Sequence, residues 1–333
     1  MSQAVLVTGG AGYIGSHACK ALARAGYRPI TYDNLITGHR DAVRWGPLVE
    51  ADLGDRAALE ATLRRFDVAA VMHFAAFAYV GESVREPEKY FRNNVVNSLG
   101  LLDAMRRQGV RHIVFSSTCA TYGVPAEIPI PETAEQHPIN PYGESKLMVE
   151  RMLRWEQNAH GLSFATLRYF NAAGADPEGE IGEDHEPETH LIPLVLQVAM
   201  GDRAQIDLFG TDYPTRDGTA IRDFIHVQDL AEAHVKALRL LLQGRGCLTL
   251  NLGTGTGYTV REVVAAAERI SGRRIPKREL PRRPGDPPVL IADPALAQRE
   301  LGWHPDLSGL DAILATAWTW HRRGERRLAA AGN

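Results

Sequence analysis

Tyr142 and Lys146 are four residues apart at the start of a segment, 142–160, whose apolar residues recur with a helical period. Four residues span about one helical turn, so both side chains lie on the same face of the predicted helix. A free phenol has a pKa near 10, and lowering it by ~3 units requires about 4 kcal/mol of preferential stabilisation of the phenolate. A lysine ammonium one turn away supplies part of that stabilisation. The pair therefore predicts a tyrosine that acts as a general base.

A run of hydroxyl side chains, Ser116, Ser117 and Thr118, ends a predicted strand. Ligands of open parallel sheets bind at the carboxyl ends of the strands, which is where these residues stand. Thr118 is the candidate to hold a substrate hydroxyl or to share its proton. The predicted catalytic group is therefore Thr118 together with Tyr142 and Lys146.

A glycine-rich turn near the N-terminus connects a predicted strand with a predicted helix. Gly9 permits a tight turn, Gly12 lets the backbone approach a phosphate, and Gly15 lets the helix pack closely on the strand. Tyr13 and Ile14 stand at the helix N-terminus, where free N–H groups and a partial positive charge favour an anion. The turn predicts a binding site for a dinucleotide pyrophosphate, with an ordinary glycine-rich turn as the alternative.

Asp33 lies at the end of the second predicted strand, 18 residues after Gly15. An acid at this position binds the adenosine ribose hydroxyls and repels a 2′-phosphate, so NAD is favoured over NADP. Asn34 beside it is a second candidate, although an Asp-Asn pair also suits an ordinary turn. Asp52 and Leu53 follow the third strand and are candidates to contact the adenine.

The end of the fourth predicted strand supplies further candidate cofactor residues. Phe74, Ala75 and Ala76 stand there, and the two alanines allow the backbone to lie close to the cofactor. Asn93 and Asn94 open the next predicted helix, where asparagine is a common cap. Asn93 is the candidate to face the cofactor instead.

Strands and helices alternate along the first half of the chain. The predicted strands cover 4–8, 29–32, 48–50, 70–73, 113–116 and 164–168, and the predicted helices cover 16–25, 56–65, 90–108 and 142–160. Such alternation predicts an α/β fold with a doubly wound parallel (Rossmann) sheet. Residues 1–170 with about 223–245 are predicted to form the NAD-binding domain, with a strand–helix pattern over 224–242 that returns to the sheet. Residues 171–222 and 246–330 are predicted to form a smaller C-terminal α/β substrate-binding domain.

The overall composition narrows the class of partners and the compartment. A net charge of −3 over 333 residues gives no reason to expect nucleic acid or an anionic membrane as a partner. The chain shows no signal peptide and no apolar run near the roughly 20 residues that span a bilayer. The cysteines, Cys19, Cys119 and Cys247, are scattered and odd in number, which predicts a reducing, cytoplasmic compartment.

Several longer segments give the chain a resemblance to a known family. They are 8–16, 33–35, 73–75, 80–83, 142–146, 167–171, 218–229 (GTAIRDFIHVQD), 251–257 (NLGTGTG) and 283–286. From about residue 4 to 320, the chain resembles the extended short-chain dehydrogenase/reductases, and within them the UDP-glucose 4-epimerases. The resemblance implies bound NAD and interconversion of UDP-galactose and UDP-glucose by C4 oxidation, rotation of the 4-keto sugar and re-reduction. It also implies a homodimer that pairs the helices 90–108 and 142–160 with their copies.

The same resemblance implies further residues around the cofactor and the UDP-sugar. It adds Ser116 and Tyr169 to the residues that are expected to bind the cofactor. The implied substrate residues are Asn171, His190, Leu191, Phe209, Arg222, Arg283, Asp286 and Leu290. Among them, the asparagine and the arginines serve the diphosphate, the aspartate binds the ribose, and Leu191 and Phe209 border the uracil.

Three positions bear on how closely the chain follows the family. Ala78 stands where many members have a lysine, so one cofactor contact is missing or replaced. His190 stands where some relatives have asparagine. Leu290 aligns with the position that governs room for an N-acetyl group, and its bulk favours plain hexoses over N-acetylhexosamines.

Other functions stay open beside the hexose reaction. A 4-epimerase of a UDP-pentose, a UDP-uronic acid or a UDP-N-acetylhexosamine is the nearest alternative. A nucleotide-sugar 4,6-dehydratase needs extra acids after the catalytic hydroxyl, and residues 119–122 contain no carboxylate. A non-catalytic NAD-dependent sensor has no need for Thr118, Tyr142 and Lys146 together.

His185 and His190 stand among four acids in the segment 183–188. Their spacing matches no familiar pattern of metal ligands. The segment is therefore predicted to be a solvated loop, and no metal site is expected.

Overall fold

The computed structural model describes residues 2–283 and 286–331, and the side chains of 2–283 and 286–323. Pro284 and Gly285, which belong to the predicted substrate segment 283–286, lie outside the described residues. The strands are β1 (Ala4–Thr8), β2 (Arg28–Asp33), β3 (Leu48–Glu50), β4 (Val68–His73), β5 (His112–Thr118), β6 (Ser163–Tyr169), β7 (Asn171–Ala173), β8 (Ile206–Phe209), β9 (Ile221–Arg222), β10 (Phe224–His226), β11 (Leu248–Leu252), β12 (Tyr258–Thr259), β13 (Lys277–Leu280) and β14 (Val289–Leu290).

The helices fall between these strands. They are α1 (Tyr13–Arg24), α2 (Arg56–Arg65), α3 (Val80–Arg85), α4 (Pro87–Tyr90), α5 (Asn97–Arg107), α6 (Pro141–His160), α7 (Leu191–Met200), α8 (Val227–Leu242), α9 (Val260–Ser271), α10 (Ala295–Leu301) and α11 (Leu310–Ala331). A π-helical stretch, Phe91–Val96, leads into α5, and short 3₁₀ turns cover Arg40–Ala42 and Cys119–Thr121. Within the described residues, no helix combines the length and hydropathy needed to cross a bilayer.

Seven strands of the described chain form a parallel sheet in the order β3-β2-β1-β4-β5-β6-β11. The direction of strand succession reverses between β1 and β4, and open α/β sheets bind ligands beside the carboxyl ends at such a point. The predicted doubly wound parallel sheet is therefore confirmed. The glycine-rich turn leaves β1 at this point of reversal.

One predicted strand does not join this sheet. The pattern over 224–242 was expected to return to it, but β10 pairs with β7 in a separate parallel ladder. The sheet position beside β6 belongs to β11 instead. β10 has three residues and passes directly into α8, whereas β11 has five and buries Leu250 and Leu252 in the core that also contains α8 side chains. β11 thus belongs to the main sheet although it lies in the stretch that the sequence assigns to the substrate domain. The division into two domains stays a prediction.

Helices cover both faces of the sheet, as the alternation predicts. On one face, Leu22 of α1 and Leu238 of α8 share an apolar core with strand residues. On the other face, Leu63 of α2 and Leu153 of α6 share a second core. A third core joins α7, α9 and α11 beyond the sheet.

A buried ion pair fastens α6 to the sheet. Arg168 of β6 donates from Nε and Nη2 to the two carboxylate oxygens of Glu150 in α6, at 3.0 and 2.6 Å. Ser117 of β5 donates to the same carboxylate at 2.6 Å, and Arg168 also donates to the Tyr122 hydroxyl at 2.8 Å. Both charged side chains are almost fully buried. This network fixes the helix that carries Tyr142 and Lys146.

We expect Arg168→Met to lower the free energy of unfolding by about 3–5 kcal/mol, because it leaves the Glu150 carboxylate buried without its cation. The double variant Glu150→Leu, Arg168→Met removes both charges and should recover most of that loss. Urea unfolding of the three proteins checks this. A loss below about 1 kcal/mol in the single variant, the size of an exposed pair, would contradict the role given to the ion pair.

Candidate functional site

The glycine-rich turn brings β1, α1 and the end of β4 into contact. Gly9 has φ +72°, and a Cβ there would lie 2.6 Å from the backbone nitrogen of Ala75. A Cβ on Gly15 would overlap the Gly9 carbonyl, whereas at Gly12 it would meet nothing closer than 3.4 Å. α1 begins at Tyr13 with no side-chain cap, so its first N–H groups remain available to an anion. The turn therefore has the shape and the donors that a pyrophosphate requires.

Tyr13 contributes to this turn through its backbone. Its buried hydroxyl donates to the carbonyl oxygen of Gly174 at 2.6 Å, and so joins α1 to the segment after β7. Ile14 is half-buried beside it. The predicted role of both residues in cofactor binding thus concerns their N–H groups, and it stays a prediction.

The acids predicted at the adenosine lie at the carboxyl ends of β2 and β3. Asp33 is buried, and its two carboxylate oxygens accept from the N–H groups of Ala11 and Leu35 at 3.0 and 2.9 Å. Burial raises the pKa of the Asp33 carboxyl, and these two hydrogen bonds oppose that rise. Asn34 donates to the Asp52 carboxylate at 2.7 Å, with Leu53 buried next to Asp52. The structure thus brings all four predicted adenosine residues together.

Three residues predicted to contact the cofactor follow the end of β4. The N–H groups of Phe74 and Ala75 both donate to the Thr8 carbonyl, at 2.9 and 3.0 Å, and Ala76 follows half-buried. This keeps the backbone after β4 against the glycine-rich turn, as the sequence predicts for a cofactor groove.

Asn93 and Asn94 differ in what their side chains contact. Asn94 is buried, exchanges hydrogen bonds with both backbone groups of Phe77, and donates to Ser145 Oγ. Its amide therefore has a structural use. Asn93 is half-buried and donates to the Asn94 side chain at 3.0 Å, which leaves it as the candidate to face a cofactor.

The three predicted catalytic residues meet where β5 ends and α6 begins. Thr118 lies close enough to Tyr142 for its hydroxyl to oppose the rise that burial causes in the pKa of that phenol. Lys146 Nζ donates to the Ser116 carbonyl oxygen at 2.8 Å. Asn140 caps α6 by accepting from the Gly143 N–H at 2.9 Å, which fixes the start of the helix. The Ser116 hydroxyl is also hydrogen-bonded to the Tyr169 hydroxyl, which places that predicted cofactor residue in the same group.

The protein alone does not lower the pKa of the catalytic phenol. Burial raises the pKa of Tyr142 to about 12, and the Thr118 hydroxyl opposes this. Burial lowers the pKa of Lys146 to about 7, with the Glu150 carboxylate opposing. Because Lys146 donates to the Ser116 carbonyl oxygen and burial lowers its pKa, stabilising a Tyr142 phenolate requires a further positive charge beside the phenol.

The catalytic group and the glycine-rich turn belong to one crevice. Only β4 lies between β1 and β5, so their carboxyl ends are about 10 Å apart. Thr8 Oγ1 lies 2.7 Å from His73 Nδ1, and the His73 and Phe115 ring centres are 5.7 Å apart. Lys146 Nζ lies 4.9 Å from the Phe115 ring. Contiguous contacts thus connect the two parts.

The predicted UDP-sugar residues form two groups in the second half of the chain. Arg222 of β9 is ion-paired with Asp286 and lies opposite Leu290 of β14. The Arg283 guanidinium stacks on Phe209, 3.9 Å from the ring centre.

The first of these groups reaches the catalytic strand. Leu290 packs in an apolar cluster with Cys119, the residue after Thr118, and with Phe170. Asn171 begins β7, where its N–H donates to the Asp223 carbonyl at 3.1 Å. The predicted sugar pocket thus borders the catalytic group.

The segment before α7 is not the solvated loop that the sequence predicts. Glu183 and Glu188 have side chains only 5% and 6% exposed. His190 caps α7, which begins at Leu191, and its Nδ1 lies 2.8 and 3.0 Å from these two carboxylates. Glu183 and Glu188 are the residues that sequence reasoning missed. The signal was their placement two residues before each histidine.

Comparison with known proteins identifies the family. The sequence profile of the "NAD dependent epimerase/dehydratase family" matches residues 5–253. The chain belongs to this family. It is 51% identical to the UDP-glucose 4-epimerase of Rhizobium leguminosarum bv. trifolii over 324 residues, which are 97% of this chain and 99% of that protein. The predicted resemblance to the UDP-glucose 4-epimerases is therefore confirmed.

Solved structures of family members agree over nearly the full chain. The UDP-glucose 4-epimerase from Brucella ovis in complex with NAD has a TM-score of 0.94 at 53% identity, covering 96% of this chain and 98% of that one. The enzyme from Stenotrophomonas maltophila with bound NAD and formylated UDP-arabinopyranose has a TM-score of 0.95 at 43% identity, covering 98% and 99%. The sheet and the overall fold described above are thus those of the family.

We expect Gly15→Ala to lower the free energy of unfolding by about 3 kcal/mol, since the new methyl group overlaps the Gly9 carbonyl. Gly12→Ala should leave stability unchanged and weaken NAD binding, because its methyl group projects where the phosphates approach. Gly100→Ala, inside α5 with its nearest neighbour 3.5 Å away, is the matched control for both effects. Thermal unfolding and NAD titration measure them, and a Gly15→Ala protein as stable as the control would refute the close-contact argument.

Proposed function

We propose that the chain interconverts UDP-galactose and UDP-glucose with a resident NAD. The observation that carries the proposal is the convergence of Thr118, Tyr142 and Lys146 beside the glycine-rich turn, in a chain of this family. NAD would lie along the carboxyl edge, with its pyrophosphate at the start of α1 and its adenosine at Asp33. When bound, NAD supplies a reversible hydride acceptor for C4 of the sugar and, when oxidised, a positive ring charge near the phenol.

In this proposal Tyr142 moves the proton and its neighbours prepare it. As a phenolate, Tyr142 takes the proton of the sugar 4-hydroxyl while C4 is oxidised, and it returns that proton when C4 is reduced from the opposite face. Thr118 hydrogen-bonds the phenol and the sugar hydroxyl. Lys146, held by the Ser116 carbonyl, contributes positive charge below the ring. Because proton and hydride both return to the sugar, the overall change is an inversion at C4.

The second half of the chain is proposed to hold the UDP end and to leave the hexose free to turn. Asn171, Arg222 and Arg283 serve the diphosphate, and guanidinium groups suit this because they offer paired donors. The Arg222–Asp286 ion pair supports a shared site for diphosphate and ribose. We propose that residues 171–222 and 246–330 form the substrate-binding domain and that 1–170 with about 223–245 bind NAD.

The preferred sugar is proposed to be an unsubstituted hexose. Leu290 is bulky, half-buried and packed against Phe170, which leaves little room for an N-acetyl group. A UDP-pentose is the second candidate, favoured by the formylated UDP-arabinopyranose in the Stenotrophomonas maltophila structure.

Purified protein should convert UDP-galactose to UDP-glucose without added NAD, which coupled assay or NMR of the products detects. Absence of conversion, with NAD shown to be bound, contradicts the proposal. UDP-arabinopyranose and UDP-N-acetylgalactosamine in parallel reactions rank the alternatives.

Tyr142→Phe should lower kcat by roughly 10²–10⁴-fold while NAD and UDP still bind. Tyr27→Phe, at the opposite edge of the sheet between α1 and β2, should retain full activity.

We propose a homodimer that pairs α5 and α6 with their copies, as the resemblance to the family implies. Large apolar side chains stand exposed on these helices and on the preceding π-helical stretch: Val96, Leu99, Met148 and Trp155. Trp155 is 72% exposed, and exposed apolar patches of this kind mark interaction surfaces.

All three cysteines are free, which supports a cytoplasmic location.

Light scattering on a sizing column should give about twice the chain mass of 36.6 kDa. Trp155→Arg places a charge in the proposed interface and should shift the protein to the monomer mass. Val124→Arg changes an equally exposed apolar residue on the β5–α6 connection and should remain dimeric. If Trp155→Arg stays dimeric, α6 is not the interface.

A further inference from the structure

Four side chains converge in the segment between β7 and α7. They are Glu183, His185, Glu188 and His190, and each places one possible ligand atom within 4.8 Å of the others. His190 Nδ1 lies 2.8 Å from Glu183 and 3.0 Å from Glu188, and His185 Nδ1 lies 3.2 Å from Glu183 and 3.7 Å from Glu188. Both histidines thus turn the same ring nitrogen toward the same two carboxylates.

These separations suit one small cation. A tetrahedral ion with ligands at about 2.0–2.1 Å has ligand atoms about 3.3 Å apart. The four nitrogen–oxygen separations, 2.8 to 3.7 Å, bracket that value. Imidazole and carboxylate are ligands of Zn²⁺ and its neighbours in the first transition series.

The hydrogen bonding within the group is incomplete. His185 Nδ1 is buried and has no hydrogen-bond partner of acceptable geometry. His190 has two carboxylates competing for a single Nδ1 proton. The two glutamate side chains are almost fully buried, and their two negative charges need either two imidazolium rings or one divalent cation. An ion at the centre would give all four side chains a partner.

A neighbouring acidic group shows the contrast. Asp176, Glu178 and Glu180 also converge, but Lys20 Nζ sits among them at 2.6–2.8 Å and donates to all three. That group already has its cation within the chain. The group at 183–190 has histidine nitrogens where the other has an ammonium.

We propose that Glu183, His185, Glu188 and His190 bind a divalent transition-metal ion, with Zn²⁺ as the representative. The ion would tie the 183–190 segment to the start of α7 and to the glycine-rich turn. The His185 ring packs edge-on against Tyr13 and Tyr79, with ring centres 6.2 Å away in both cases. The bound ion thus orients His190 and Leu191, which are candidates to contact the UDP-sugar, from a position beside the cofactor turn.

Metal binding is measured on the full-length protein after chelator treatment and desalting. With Zn²⁺ restored, elemental analysis should give about one zinc per chain, with a rise in Tm. Co²⁺ in its place should give the strong visible absorption of a tetrahedral site. Mg²⁺ and Ca²⁺ should not compete, because they prefer more ligands and oxygen donors. These readings need no turnover, so they are independent of the proposed reaction.

Two variants locate the ion. His185→Gln and Glu188→Gln should each lower Zn²⁺ affinity by more than about 100-fold, the upper figure for residues that only orient a ligand. His137→Gln removes an exposed histidine that also lies near a glutamate, Glu135 at 2.9 Å, and should bind as the parent does. Circular dichroism establishes that the variants are folded. The proposal is overturned if the parent protein takes up no Zn²⁺ at micromolar concentration, or if both variants retain the parent affinity.

Discussion

Contact between the Gly9 carbonyl and the Cα of Gly15 is the constraint on which the cofactor half of this molecule depends. It seats α1 directly on the end of β1 and leaves the first N–H groups of the helix without partners. The same turn touches Ala75, so the backbone after β4 is drawn to the same place. A methyl group at either glycine separates these elements. The predicted anion site is thus formed by backbone packing and N–H groups, with no basic side chain required.

The catalytic half depends on how firmly α6 is held. Asn140 fixes its first turn, Lys146 reaches the carbonyl of Ser116, and Glu150 meets Arg168 inside the sheet. Tyr142, Lys146 and Glu150 follow one another at intervals of four residues, about one helical turn, so the predicted catalytic residues and the anchoring carboxylate share one face of α6. The cost is electrostatic, because burial raises the pKa of Tyr142 and lowers that of Lys146. We therefore expect the protein to position Tyr142 and Lys146, and a bound cofactor to supply the charge that activates them.

Local sequence patterns predicted the individual helices and strands well. They did not predict which distant strands pair with each other. Apolar strands and amphipathic helices of the first half gave bounds within a few residues, and 56–65 matched α2. β10 was assigned to the wrong sheet because a strand of three residues directly before a helix has the same local pattern in either sheet. β11 was missed because its partner, β6, lies about 80 residues away, and strand order over such distances leaves no local mark.

The candidate site was also predictable only where local spacing determines it. Thr118, Tyr142 and Lys146 could be found because helical spacing and a strand end place them by simple geometry. The burial of Glu183 and Glu188 could not, because it depends on tertiary contacts of the segment, such as that of the Trp320 indole of α11, which donates to the Glu183 carbonyl oxygen at 3.0 Å. A run of acids and histidines in sequence is typical of a solvated loop, and only the packing distinguishes the two.

The position of β11 late in the sequence affects how the sheet forms during synthesis of the chain. Until residues 248–252 leave the ribosome, β6 has one hydrogen-bonding edge without its partner strand. Such an edge pairs readily with other chains. Three quarters of the polypeptide must therefore be synthesised before the seven-stranded sheet is complete, and the edge of β6 is open to wrong pairing during that interval.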